Sequence, residues 1–468
     1  MNKELDVNIM DEWLTKLKET EKSFDERKQI STPKIQRVPN LLRQNDRFAK
    51  YCIPKCISFG PIHHKDPRLK QGEEFKLLWT SKFVTGYSRH MKKDTNQATH
   101  NLFEKIKGDM EELKKLYAED AILEGGYDDN CFTWMLFVDG CSALYFMDNV
   151  DIHHPEVLNI KFDKLMYIWR DMHLLENQLP MRLLKLLSES GVGNLNYSFF
   201  NFEMKGDHKC KGHSMHMIQP YNYDAIHILD HFRLLLIGLS MEENIFPNQD
   251  DNLENITQNT SEDPLSIYTY KNIRDLKAIG IEVKRYTTGK NPQAWSNVHL
   301  SSNWLGGVLR LPMFVFNDNT LYIFRNLLAY EMCPDNFCHK YECCSFFSFM
   351  DSLIDNVEDV KELRLSGTLI NMLSSDEDLA NFINELGDDL PTKLFVDIYR
   401  TPSVAFSAKY INVKQQIEKH YSTKWRRWVA QGYNTYFGSP WSIIAFLAAL
   451  VALVLTFIQT WLTIHPKH

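Results

Sequence analysis

The sequence predicts a mainly α fold with a small β portion (α+β), closed by a single C-terminal transmembrane helix. Apolar residues recur at spacings of three and four in the first half, as in Phe103, Ile106, Met110, Leu113, Leu116 and Tyr117, which is the period of an amphipathic helix. Four short runs then have β character: 283–289, 298–302, 307–316 and 320–324. Last comes an apolar run from Trp441 to Ile464 with no charged residue in it. A helix needs roughly 20 apolar residues to cross a bilayer. A buried core helix of that length would keep a polar face, and this run has none. Trp441 and Trp461 flank it as interfacial aromatics.

In chain order, residues 1–34 read as a helical extension (Ile9, Trp13 and Leu17 on one face) with a polar connector. Residues 35–240 read as a helical lobe. Pro39 and Pro54 break its first part, and Cys56–Gly60 has the look of a short strand ending in a Gly-Pro turn. A helix follows from Glu73. Phe132–Met147 is apolar all round, too short for a span and suited to a central buried helix. Phe162–Leu187 reads as two helices meeting at Pro180, where the Asn177 and Gln178 amides can satisfy freed backbone groups.

Residues 241–264 carry many acids and no Lys or Arg before Pro264, the pattern of a solvated linker. Residues 265–403 form a mixed α/β lobe, with a turn at Asn317–Asn319 and a capping-box start at Ser375–Asp378. Residues 404–440 give a basic, aromatic juxtamembrane helix. It can lie on anionic lipid or pack its apolar stripe on the body. The span at 441–464 completes the chain.

Composition limits the function. With 53 Lys and Arg against 60 Asp and Glu, the net charge is −7, which gives no reason to expect a nucleic-acid partner. The start lacks the apolar core of a signal peptide. Lys424, Arg426 and Arg427 precede the span and only Lys467 follows, so the charge rule puts the body in the cytosol. The nine cysteines are then expected as thiols. Sequons at Asn196, Asn255 and Asn259 permit the opposite topology.

Several strings resemble one plant family, catalogued as domain of unknown function 247, over nearly the whole chain after residue 34. They are Ile35–Pro39, Tyr51–Pro54, Ile57–His64, Glu73–Lys76, Asp139–Cys141, Leu276–Ile281, Arg325–Glu331, Val357–Gly367 and Phe437–Trp441. The most specific is Arg170–Pro180, with Arg170, Asp171, Leu175, Glu176, Asn177, Gln178 and Pro180. His63 and His64 close another. Relatives usually have Phe at Ser142 and Tyr at Ile62, which are packing variations. The resemblance implies a single-pass plant membrane protein with a mainly helical body and no established activity. Some grass members resemble pollen self-incompatibility determinants acting with small secreted proteins, so it also implies a protein partner beside the bilayer. The plasma membrane is the expected location.

Chemistry is weighed against packing at each candidate. Cys333, Cys338, His339, Cys343 and Cys344 could form a zinc knuckle, but lack a distant second pair; a buried thiol cluster is the alternative. His208, Cys210, His213 and His216 fit a surface loop. His63 or His64 could act as a general base near Glu73, or cap a turn. Asp171 and Glu176, five apart, do not share a helix face and suit buried tethers. Phosphate-loop, dinucleotide, nucleophile-elbow and zincin motifs are absent. No cofactor is expected. The sequence therefore favours a recognition or signalling protein over a membrane-held enzyme or a scaffold.

Overall fold

The computed structural model describes residues 10, 12–22, 33–123, 125–189, 225–238, 272–288, 293–302, 306–334, 341–388, 390, 407–422 and 440–464. The described chain is mostly helical with a few short strands. It divides into two compact units, Met1–Ile245 with Asn317–Cys344, and Phe246–Phe316 with Ser345–His468. The sequence boundary at 241–264 has no counterpart in sequence for the return of Asn317–Cys344 to the first unit.

Residues 12–22 are helical, with Trp13, Leu14 and Leu17 exposed. The first unit then begins with a non-repetitive strap, residues 34–64. Ile35 donates its N–H to Leu116 at 2.8 Å and accepts from Ala118 at 2.9 Å. Two single turns follow, α1 (Asn40–Arg43) and α2 (Asp46–Ala49), the second capped by Asn45. Cys56–Gly60 does not form the expected strand. Among the described residues no strand lies beside it, and side chains take up its amides. Gly60 has φ +72°, a left-handed turn that glycine adopts without strain.

Two long helices make the centre. α3 (Lys70–Met91) packs on α4 (Thr95–Gly108) and on α5 (Asp129–Asn149). Buried residues surround α5 on all sides, as its apolar composition predicts. The helical pattern expected across 103–117 is interrupted at Asp109, after which a short helix covers Met110–Lys115. At Gly72 a Cβ would sit 2.6 Å from the Cys56 carbonyl oxygen, so only glycine lets α3 approach the strap backbone. α6 (Phe162–Asp171) ends well before Pro180, α7 (Met181–Ser188) starts just after it, and α8 (Ile228–Ile237) is capped by His227.

In the second unit, α9 (Ile273–Ala278) leads into β1 (Ile281–Arg285). β2 (His299–Ser302) runs antiparallel to β3 (Gly307–Leu311), which is parallel to β1, giving the order β1-β3-β2. β4 (Phe314–Phe316) pairs in parallel with β5 (Leu369–Asn371). Thr320–Phe324, expected as β, is helical. It lies in α10 (Asp318–Glu331), a helix of the first unit, because Asn317 and Thr320 close a capping box that starts a helix there. α11 (Glu342–Leu353) and α12 (Val357–Leu365) are separated where Asn356 caps the latter. α13 (Asp376–Asp388) starts where Ser375 Oγ accepts from the Asp378 amide at 3.0 Å.

α14 (Ala408–Ser422) buries Tyr410, Val413 and Ile417. The Tyr410 hydroxyl donates to the Trp295 carbonyl at 3.1 Å and His420 Nε2 lies 3.1 Å from the Ile279 carbonyl. Over the described residues 407–422 the stripe packs on protein; Phe406, Trp425 and Trp428 of the same stripe lie outside the described residues. α15 (Pro440–Ile464) contains Ile444–Trp461, long and apolar enough to cross a membrane, with mean hydropathy 2.2 and none of it buried. Trp461 is exposed. The side chain of Trp441 lies outside the described residues.

Candidate functional site

The polar residues singled out from Arg170 to Pro180 come together beneath the strap. α6 ends at Asp171, and the chain turns irregularly until α7. An irregular turn frees backbone groups, and a buried strap brings more, each of which needs a partner. The motif side chains are those partners. Asp171 Oδ2 accepts the amides of Lys55, Cys56 and Ile57 at 3.0, 2.6 and 3.2 Å. Asn177 Oδ1 accepts from Phe59 at 2.6 Å, while its Nδ2 donates to Ile57 and Asp171 carbonyls. Gln178 Nε2 donates to the Met172 and Leu174 carbonyls, and its Oε1 accepts from Leu229. The Leu175 amide donates to Asn326 Oδ1 at 2.9 Å, and buried Pro180 sits at the start of α7.

Glu176 is the most connected. Its Oε1 accepts from the Val38 amide at 2.9 Å and pairs with Arg43, and its Oε2 lies 3.1 Å from His63 Nε2. Burial pushes the Glu176 carboxyl up. The His63 hydrogen bond, the Arg43 charge and the Val38 amide outweigh that and hold it below the usual carboxylate range. Burial pushes the Asp171 carboxyl up to about 6, against the strap amides and Arg170, which favour its ionised form. Asp171 and Glu176 thus hold different stretches of backbone and are not a shared acid–base pair.

His63 and Glu176 are brought together, but His64 is not part of the pair. Its ring stands edge-on to Tyr127 at 5.8 Å, and its Nδ1 is buried with no hydrogen-bond partner. Glu73 is engaged with Ser58 at 2.9 Å and Lys76 at 2.7 Å. Arg170 is buried between the Tyr167 and Tyr322 rings, 4.7 and 4.1 Å from their centroids, with Asp171 Oδ1 3.6 Å away.

Sequence reasoning missed further buried charges, among them Lys76, Asp139, Glu331 and Arg233. Lys76 Nζ pairs with Asp139 at 2.6 Å and donates to the Ser58 carbonyl, while Asp139 Oδ2 accepts from the Gly60 amide. Burial pushes the Asp139 carboxyl up, with Lys76 opposing it. Glu331 accepts from Arg233 Nε and from the amides of Cys343 and Cys344, each at 2.9 Å. A signal was present in the sequence. Lys76 falls three residues before Trp79 on the apolar face of its helix, and Asp139 interrupts an apolar run.

Burial raises the Cys343 and Cys344 thiols well above their ordinary range, whereas zinc takes thiolates. Cys333 donates to the Ala329 carbonyl. Cys338 and His339, like His208–His216 and residues 241–264, lie outside the described residues. Among the described residues no group of three or more His, Cys, Asp or Glu is placed to hold a metal, and the described cysteines are free thiols.

This geometry can be set against known proteins. A family model described as a plant protein of unknown function, domain of unknown function 247, matches residues 35–455. The chain belongs to that family. Two Arabidopsis thaliana relatives match at lower identity. "UPF0481 protein At3g47200" is 25% identical, covering 88% of this chain and 82% of its own length. "Putative UPF0481 protein At3g02645" is 22% identical, covering 87% and 86%. No solved structure matches. In this DUF247 chain the most specific string, Arg170–Pro180, supplies interior ties of the first unit.

The Glu176 tie has a definite pH signature. A carboxyl whose folded pKa lies below its unfolded value near 4.5 stabilises the fold above that pH. The contribution is lost as pH falls through the folded pKa. Glu176→Gln is expected to cost about 2 kcal/mol at pH 7, the scale of a hydrogen bond to a charged group. Denaturant melts of both proteins from pH 7 to pH 3 should show the gap closing on acidification. A gap that stays constant would contradict the assignment.

Proposed function

We propose that this DUF247 protein is a membrane-held recognition protein whose body presents surfaces to another protein. The observation that carries this reading is the use made of the family's most specific string. Asp171, Glu176, Asn177 and Gln178 bond the chain's own backbone, so they build a rigid scaffold. Scaffolds of this kind place function on surface segments. The apolar helix Ile444–Trp461 supports the anchor, and anchoring concentrates a body near partners in the same membrane. The plasma membrane is the location proposed, with the body on the cytosolic side, as the Lys424, Arg426 and Arg427 charges favour.

A second reading, a membrane-held enzyme, draws on the His63–Glu176 pair, a base oriented by a carboxylate with its ring 14% exposed. Among the described residues the nucleophile weighed beside this pair is Cys52. The Cys52 thiol, which feels the Glu176 charge, is buried and its pKa is pushed up to about 12.

Specificity in the recognition reading belongs to the segments 197–220 and 241–263. Exchanging both between two relatives with different partners should transfer partner choice in a pull-down. Choice that stays with the helical unit would overturn the assignment to these segments. Sidedness has its own test on sealed vesicles carrying the full chain. Digestion of the body by protease added on the cytosolic side is expected. Protection, with glycan on Asn196 or Asn255, would contradict it. That result would favour a receptor for a small secreted protein, the role suggested by the resemblance of some grass members to pollen self-incompatibility determinants.

A further inference from the structure

The strap is rich in positive charge. Residues 34–55 hold six Lys or Arg and one acid, Asp46, in a chain whose net charge is −7. Part of this charge is used internally, as Arg43 on Glu176. Lys50 and Lys55 are used differently. Lys50 Nζ stands 4.9 Å from the centroid of the Tyr51 ring, and Lys55 Nζ stands 5.4 Å from that of Tyr322 while donating to its hydroxyl at 2.9 Å. Both lysines are exposed. The two rings meet edge to face at 4.6 Å. A second cation backs each of them. Arg325 lies 4.0 Å from the Tyr51 centroid and Arg170 lies 4.1 Å from that of Tyr322.

Four cations thus converge on one pair of half-buried tyrosines. Asp171 Oδ1 lies 3.6 Å from Arg170 Nη2. Arg170 is buried, and its Nε and Nη2 have no hydrogen-bond partner. These two nitrogens form one edge of the guanidinium, the fork that matches a carboxylate. Buried positive charge is costly; Asp171, the acid beside Arg170, is shared with three strap amides, and an anion docked on this face adds to its compensation.

We propose that the face formed by Lys50, Tyr51, Lys55 and Tyr322, backed by Arg170 and Arg325, docks a carboxylate-rich segment of a protein partner. The inference rests on the recognition reading above and names the partner's chemistry. Charge complementarity selects an acidic ligand. Tyrosine and arginine are the residues on which protein interfaces concentrate their binding energy. A lipid surface fits less well. Interfacial insertion needs a broad apolar face above the charges; both rings here are pinned between cations, and of the large apolar side chains of 34–55 those exposed are Leu41 and Ile53.

The test uses the full chain in phosphatidylcholine nanodiscs, titrated with fluorescein-labelled deca-glutamate and followed by anisotropy. Binding is expected to weaken as salt rises. The double variant Lys50→Glu, Lys55→Glu should raise Kd at least tenfold, with an unchanged thermal melt. Lys361→Glu, an exposed lysine on α12, should leave Kd within twofold. Absence of binding at low salt, or equal affinity for the double variant, overturns the proposal. So does slower amide exchange over 50–56 on adding phosphatidylserine to the disc, if deca-glutamate does not bind. If the peptide fails while partner choice still follows segments 197–220 and 241–263, the docking face alone is wrong and the recognition reading stands.

Discussion

An irregular backbone segment buried inside a helical unit must find a hydrogen-bond partner for each amide it carries inward. In this protein the strap at 34–64 has no strand beside it over Cys56–Gly60 among the described residues, and the obligation falls on Asp171, Asn177 and Asp139. Carboxylate and amide oxygens suit the task because each has more than one lone pair. Asp171 Oδ2 alone serves three successive amides. The rest of the unit follows from this arrangement. α3 must approach closely, hence Gly72. α6 must end at Asp171 so that its side chain reaches the strap. The turn to α7 must be irregular, and Gln178 then satisfies the carbonyls that the helix end exposes.

The same logic ties α10 into the first unit. Asn326 Oδ1 accepts from the Leu175 amide and its Nδ2 donates to the Tyr51 carbonyl. Glu331, at the end of the helix, collects Arg233 and two amides of the following segment. A buried charge is tolerated only when paired and hydrogen-bonded, and Glu331 and Asp139 meet that condition. These ties specify where the segments go more than they add net stability, since well-packed apolar residues could match them energetically. What they exclude is a strap that slides, because a shift of one residue would leave several amides without acceptors.

Much of this was legible in the sequence. The all-round apolar α5 and the terminal span need only composition and length. Asn177 and Gln178 beside Pro180 announce that a helix end needs satisfying. The tether reading of Asp171 and Glu176 follows from their spacing. Other features depend on distant partners and leave little local trace. Cys56–Gly60 has the composition of a strand and becomes a strap because side chains more than a hundred residues away take its amides. Thr320–Phe324 has β-forming residues, but the Asn317 capping box decides the matter in favour of helix. The return of Asn317–Cys344 to the first unit is set by Asn326 and Glu331, whose partners are scattered through the chain. The pairing of His63 with Glu176, and not with Glu73, is likewise a tertiary choice.

The account stands on the strap being a fixed part of the interior. Amide hydrogen exchange in the full-length protein tests this most directly. The amides of Cys56, Ile57, Phe59 and Gly60 are predicted to exchange as slowly as those in the middle of α5, since both would open only with the unit as a whole. Asp171→Ala should speed the first two by at least an order of magnitude while α5 stays protected. Exchange of these amides in the intact protein at the rate of exposed backbone that makes no hydrogen bond, with α5 still protected, would contradict the account.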